Sequence, residues 1–381
     1  MRRDLFVFAG QSNMMGASVY LPQHPLSITR SYEYKHKPRR FGASSGAFVP
    51  AGYPVGEFSY QDLALAYAPE MVNERGESKL NNYNKHTYFC PAMSNLQSEA
   101  EKTVYPFATF SEADAPNGVT LAPFVAEEWE KAGNACTYAH IAKGGVAIAY
   151  YFTDEMVQEY RTRVCDWNRT HGTALNPEIP GSHQMPGAAE YFFEKCSHFF
   201  SDAETAFPDD TLASRCFFWL QGESDANSPA KEYEIKLEIL WEALKKAGFT
   251  HFFCLRVDYF GAAGIDQIML AQENFTAAHA DAHMLTRAAS YFLYAGQEET
   301  DWFCTPPAEA YQFCRDSFFG YSNQHINEKG FLLLAQRAAE NLARILIQGK
   351  PPVLEEENIR SLSSQHSNEL KGAATVCITS K

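Results

Sequence analysis

Four stretches of the chain are apolar almost without interruption, and each has the length of a buried strand rather than a helix. They are Leu5–Ala9, Cys136–Ala142, Arg215–Leu220 and His251–Val257, with a weaker fifth at His283–Ala288. Between them the apolar positions change period. Leu121–Ala132 sets Leu121, Phe124, Val125 and Trp129 on one face at helical spacing. Pro229–Ala247 opens on Ser228-Pro229, read as an N-cap followed by proline in the first helical position, and ends before Gly248. Its Tyr233, Ile235, Leu237, Leu240, Trp241 and Leu244 form a broad apolar face. Asp266–Ala280 and Glu328–Ile347 are predicted as further amphipathic helices. Strands alternating with helices predict an α/β fold with a mostly parallel sheet.

Two stretches break this rhythm. Ala17 to about Thr120 is rich in Tyr, Pro, Asn, Gly and Ser, and it shows no sustained period; Thr153 to Gly187 reads the same way. Both are expected to be long functional loops inserted in one domain that spans residues 1–349. A tail of residues 350–381 follows, with Ala373–Thr379 as a candidate edge strand.

Composition narrows the function. The 381 residues include 32 Lys+Arg against 46 Asp+Glu, a formal charge of −14. That balance argues against nucleic acid and against an anionic membrane surface as partner. No apolar run approaches the roughly 20 residues of a bilayer span, and the basic start Met1-Arg2-Arg3 leads into a run too short for a signal peptide. The nine cysteines include no CxxC pair, and Cys136, Cys216 and Cys254 fall inside strand-like runs. A reducing, cytoplasmic setting is expected.

The candidate chemistry follows the strands. Leu5–Ala9 runs into Gly10-Gln11-Ser12-Asn13-Met14, Cys136–Ala142 into Lys143-Gly144-Gly145, and Arg215–Leu220 into Gln221-Gly222-Glu223-Ser224-Asp225. Ligands of open parallel sheets bind outside the carboxyl ends of the strands, so these three loops are expected on one rim. A serine in the sharp turn after the first strand can expose its hydroxyl. Its own N–H, a glycine N–H of Gly144-Gly145 and the Gln221 amide then form a set of oxyanion donors, as acyl transfer requires. The base would come from the twelve histidines; His325 stands out in the polar turn Tyr321–Asn327 before the last predicted helix.

These residues resemble the SGNH-type carbohydrate esterases, especially the sialate O-acetylesterase and acetylxylan esterase group. Gly10-Gln11-Ser12-Asn13-Met14, Gly144-Gly145, Trp219-Leu220-Gln221-Gly222-Glu223-Ser224-Asp225 and a C-terminal histidine followed by glycine and a helix carry the resemblance. It implies a three-layer α/β/α sandwich of SGNH-hydrolase or flavodoxin-like type, with Ser12 as nucleophile and His325 as base. The oxyanion hole would comprise the Ser12 N–H, Gly144 or Gly145, and Gln221. Gln11, Asn13, Lys143 and Asp225 are expected around the substrate. No cofactor and no metal are required. The family's aspartate shortly before the histidine is missing: Ser322 and Asn323 stand there, which leaves a Ser–His dyad or a substitute carboxylate, Glu223 or Asp225. The expected activity is O-acetyl ester hydrolysis on a sugar, O-acetylated sialic acid first. A neutral, xylan-type sugar and a non-catalytic carbohydrate-binding protein on the same fold are the alternatives.

Other features have plainer readings. His279 and His283, four apart with Asp281 between them, have a metal-like spacing, but no third ligand is evident; Trp219 and Tyr150-Tyr151-Phe152 are expected in the core, with contact to a sugar as the alternative; and Arg256 and Asp258 read equally as an ion pair or a substrate contact. The basic cluster Lys35, His36, Lys37, Arg39 and Arg40, with Lys143, is the candidate clamp for a substrate carboxylate.

Overall fold

The computed structural model describes residues 1–15, 28–36, 46–50, 120–258, 264–291, 325–326 and 328–355. Strand β1 (Arg2–Gly10) lies at the centre of a seven-stranded sheet. Its neighbours are β4 (Cys136–His140) and β5 (Thr211–Leu220), both parallel to it. Being covered on both faces, β1 buries every residue from Leu5 to Ala9 completely, which is why it reads as an unbroken apolar run rather than an alternating one. Beyond β5 lie β6 (His251–Leu255) and β7 (Ala282–Thr286), again parallel. On the other side, β2 (Tyr32–His36) pairs in parallel with β4, and β3 (Gly46–Pro50) closes that edge antiparallel to β2.

Alternation along the strands sorts two helical layers. Phe6, Phe8, Phe218 and Phe253 share one face; Phe8 and Phe218 stack at 4.5 Å, and Trp129 from helix α2 (Leu121–Lys131) packs on Phe6. Helix α7 (Glu328–Leu342) lies against α2 on that side. Phe217, Trp219 and Phe252 point the other way. They meet Phe192 of α4 (Ala188–Ala206), Trp241 of α5 (Ala230–Lys246) and Phe275 of α6 (Ile265–Ala278). The expected three layers are therefore present.

Several expectations change. The stretch after Thr153 is a regular helix, α3 (Asp154–His171), started by the Thr153 side chain and ended by Gly172 in the left-handed region. Only Met156, Val157, Tyr160 and Val164 are buried on it, a stripe too narrow to stand out in so polar a segment. Helix α4 was not predicted at all, and β2 and β3 lie inside the presumed first loop. Much of that loop, and the candidate edge strand Ala373–Thr379, fall outside the described residues. Ser228 does not cap α5. Pro229 holds the cap position with extended backbone, and the Gln267 side chain accepts from the Ala230 N–H instead. The start of the tail docks on the sheet edge: Glu355 accepts from Thr286 Oγ1 at 2.8 Å and from the Arg287 N–H at 2.7 Å.

Parallel pairing brings the carboxyl ends of β1, β4, β5 and β6 to one rim. The connection leaving β1 runs toward β2 and that leaving β5 toward β6, so these neighbours flank the point where the winding reverses. Among the described residues, no helix is long and apolar enough to cross a membrane.

Candidate active site

The turn after β1 exists because residue 10 is glycine. A Cβ there would sit 2.0 Å from the Leu220 carbonyl oxygen, closer than any side chain tolerates. Tyr151 clamps this glycine from below, its hydroxyl accepting from Gly10 N at 3.0 Å and donating to Gly10 O at 2.7 Å. Gln11 N continues the ladder to Leu220 O, and Met15 N bonds back to Gln11 O at 2.7 Å, so that Ser12 opens the single turn α1 (Ser12–Met15). Buried His140, at the end of β4, contacts the Met14 carbonyl through Nε2. Ser12 is half-buried between the more enclosed Gln11 and Asn13.

The loop after β4 reaches this turn. Lys143 N donates to Gly10 O. A Cβ on Gly144 would lie 3.8 Å from Ser12 Cβ and 3.2 Å from Met15 Cε, whereas one on Gly145 would meet nothing within 4 Å. Gly144 is thus the glycine beside Ser12. Gly145, with φ 71°, serves the turn itself.

Asn13 joins the other loops. Its Nδ2 donates to Glu223 Oε1 at 3.0 Å and to Asp258 Oδ2 at 3.3 Å, and its Oδ1 accepts from Ile326 N at 2.9 Å. One amide therefore ties the turn after β1 to the ends of β5 and β6 and to the segment before α7. This ties Ile326, and with it the adjacent His325, to the turn that carries Ser12. His325 is half-buried, and burial holds its pKa below the usual histidine value, so the ring is neutral at pH 7 and has a lone pair to accept a proton. Asn13 itself is 1% exposed. It braces the site rather than lining an open surface as expected.

Gln221 and Asp225 also lie deeper than expected. Gln221 is fully buried; its Nε2 faces Asp225 Oδ2 at 2.8 Å, Val146 O at 3.1 Å and Gln11 Oε1 at 3.4 Å. Its Oε1 accepts from Tyr233 Oη at 2.6 Å. Two N–H groups with three protein acceptors have nothing left for an oxyanion. Asp225 accepts from Ile148 N at 2.8 Å and from Lys236 Nζ at 3.1 Å, a buried ion pair that pins the Gly144 loop to α5. Neither carboxylate oxygen of Asp225 is turned to a substrate. Glu223 keeps its place beside Asn13. Burial, first of all, and then the charge of Asp225 push its carboxyl up to about 7.

The remaining candidates separate. Trp219 is core, its Nε1 donating to Tyr233 Oη at 3.2 Å, and Tyr150, Tyr151 and Phe152 are buried. Arg256 is fully buried and pairs with Glu273 at 3.0 Å, and Asp258 accepts from Asn13. That second bond on Asn13, like the Tyr151 clamp, had no local signal in the sequence. Half-buried Lys143 starts the Gly144 loop. The backbone of Lys35 and His36 ends β2 at this same rim, while Lys37, Arg39 and Arg40, like Ser322 and Asn323, fall outside the described residues. His279 ends α6, and His283 stacks on His251 at 6.0 Å. No group of three His, Cys, Asp or Glu among the described residues could hold a metal. The described cysteines are free thiols, and burial pushes Cys136 up to about 12.

No family model and no curated protein matches the chain. Among solved structures, an Arabidopsis thaliana protein aligns over 91% of this chain and 100% of its own at 12% identity, with a TM-score of 0.47. NanS aligns over 90% of this chain and 97% of its own at 12% identity and a TM-score of 0.44. A carbohydrate acetylesterase from Xanthomonas citri aligns over 91% of this chain at 12% identity and a TM-score of 0.43, and there the match spans 57% of the other chain.

Proposed function

We propose that the chain is a serine esterase that removes O-acetyl groups from a carbohydrate, with O-acetylated sialic acid as its substrate, through an acetyl-enzyme on Ser12. One observation carries the reading: half-buried Ser12 stands with the Gly144 backbone on one side, while Asn13 docks His325–Ile326 on the same turn. In the proposed reaction His325 takes the hydroxyl proton as Ser12 Oγ bonds to the acetyl carbon, and the carbonyl electron pair moves onto oxygen. The N–H groups of Ser12 and Gly144 face that oxyanion. Collapse breaks the bond to the sugar oxygen, which leaves with the proton from His325. A water molecule then repeats the sequence and releases acetate. Glu223 acts as a positioning residue, through Asn13, on the segment that carries His325.

Lys143, at the start of the Gly144 loop, supports an anionic sugar. The net charge of −14 instead favours a neutral acetylated sugar, because the overall field repels anions. Ser12→Ala should abolish release of p-nitrophenol from p-nitrophenyl acetate; wild-type turnover in that variant refutes the nucleophile. Deacetylation of O-acetyl sialic acid compared with acetylated xylo-oligosaccharides decides the sugar, and a preference for the latter overturns the anionic substrate.

A further inference from the structure

The turn after β1 holds a polar group that the fold leaves over. Gln11 is 4% exposed. Its Oε1 accepts from Ser224 N at 3.3 Å and from Gln221 Nε2 at 3.4 Å, both in the loop after β5. Two donors on one end fix which end is oxygen, since a flipped amide would set Nε2 against N–H groups. Nε2 then has no acceptor among the described residues. This N–H end is not sealed from water as Glu223 Oε2 is, so next to the reactive serine it stays open to an acceptor that arrives with the substrate. Gln221, the side-chain donor that the resemblance implies, has its own N–H groups spent on Asp225, Val146 and Gln11.

We infer that Gln11 Nε2 is the side-chain donor of the oxyanion hole, beside the N–H groups of Ser12 and Gly144, and that Gln221 stands behind it as a positioning residue. This rests on the Ser12 esterase reading. The backbone of Gln11 is pinned at both ends, its N–H to Leu220 O and its carbonyl by Met15 N. Its side chain is held by a buried chain that continues through Gln221 to Tyr233 and Asp225. Such a donor is preorganised and needs no rearrangement as charge develops. No proton moves in the step it assists. As Ser12 Oγ bonds to the acyl carbon the carbonyl pair localises on oxygen and the Nε2–H bond to it strengthens; when the adduct collapses the pair returns and the bond weakens.

Gln11→Glu keeps the Oε1 acceptor for Ser224 and Gln221 and removes the donor. With p-nitrophenyl acetate its kcat should fall about 10²–10³-fold, with KM changed less than about threefold. Gln11→Met, uncharged and of similar length, gives an independent readout. Sulfur accepts hydrogen bonds poorly, so the oxygen-over-sulfur preference between p-nitrophenyl acetate and its thionoacetate should fall at least about tenfold in this variant. A purely structural role slows both esters alike and leaves the ratio unchanged, which overturns the assignment, as does wild-type kcat in Gln11→Glu. Ser12→Ala separates the levels: if it is inactive while both Gln11 variants behave as wild type, only the Gln11 role fails. If Ser12→Ala is itself active, the esterase reading fails and takes the Gln11 role with it.

Discussion

Glu223 offers a stability test whose size can be worked out. Its Oε1 takes an N–H from Asn13 at 3.0 Å, while its Oε2 is sealed from water without a hydrogen-bond partner. Burial, reinforced by the Asp225 charge, raises the carboxyl from 4.5 to about 7. The folded state then holds a proton that the unfolded chain has already released, so stability falls as pH rises between these two values, and the loss is complete above about 7. At about 1.4 kcal/mol per pKa unit the loss comes to about 3 kcal/mol, a large part of the ~5–15 kcal/mol that holds a typical domain. Glu223→Gln keeps the acceptor for Asn13 and cannot ionise. It should match the wild type near pH 4.5 and exceed it by about 3 kcal/mol near pH 8, read from urea unfolding followed by tryptophan fluorescence with the slope m unchanged. Equal stabilities at pH 8, or the same pH dependence in both proteins, would refute the reasoning.

Asn13→Ala leaves the Ile326 N–H and the Glu223 carboxyl without their partner, at about 1–3 kcal/mol for each buried group; thermal unfolding should show the loss, and p-nitrophenyl acetate turnover should drop because the His325 segment is no longer docked. Burial holds His251 and His283 below the usual histidine pKa, and charge repulsion from His251 lowers His283 further. Both fold as neutral rings, so their contribution is complete above the unfolded value of 6.5 and is lost as pH falls below it. His283→Phe should flatten the decline in melting temperature between about pH 7 and pH 5, and an unchanged decline would count against the pair.

Most strands were legible because burial on both faces is written into consecutive residues: Leu5–Ala9 and Arg215–Leu220 need no partner to be recognised, only water's exclusion of apolar side chains. The predicted limits slipped where the last apolar residues continue past the sheet, as at Ile141 and Val257. Helix α3 escaped because only four of its residues meet the core, and α4 because aromatic residues crowd its pattern. The rim glycines and Ser12 were also readable, since a strand followed by glycine and polar groups marks a turn. Partnership was not readable. The resemblance cast Gln221 as an oxyanion donor and set Gln11, Asn13 and Asp225 around the substrate, but nothing local in the sequence shows which of their polar groups are already bonded. Their roles separate only when strands far apart in the chain lie side by side, so that Asn13 meets Ile326 and Gln221 meets Asp225, Val146 and Gln11. The sequence by itself determined which segments leave water, because that is a property of each residue and its near neighbours. Which donors are spent and which remain for a substrate was decided by the tertiary structure alone, because a hydrogen bond belongs to a pair.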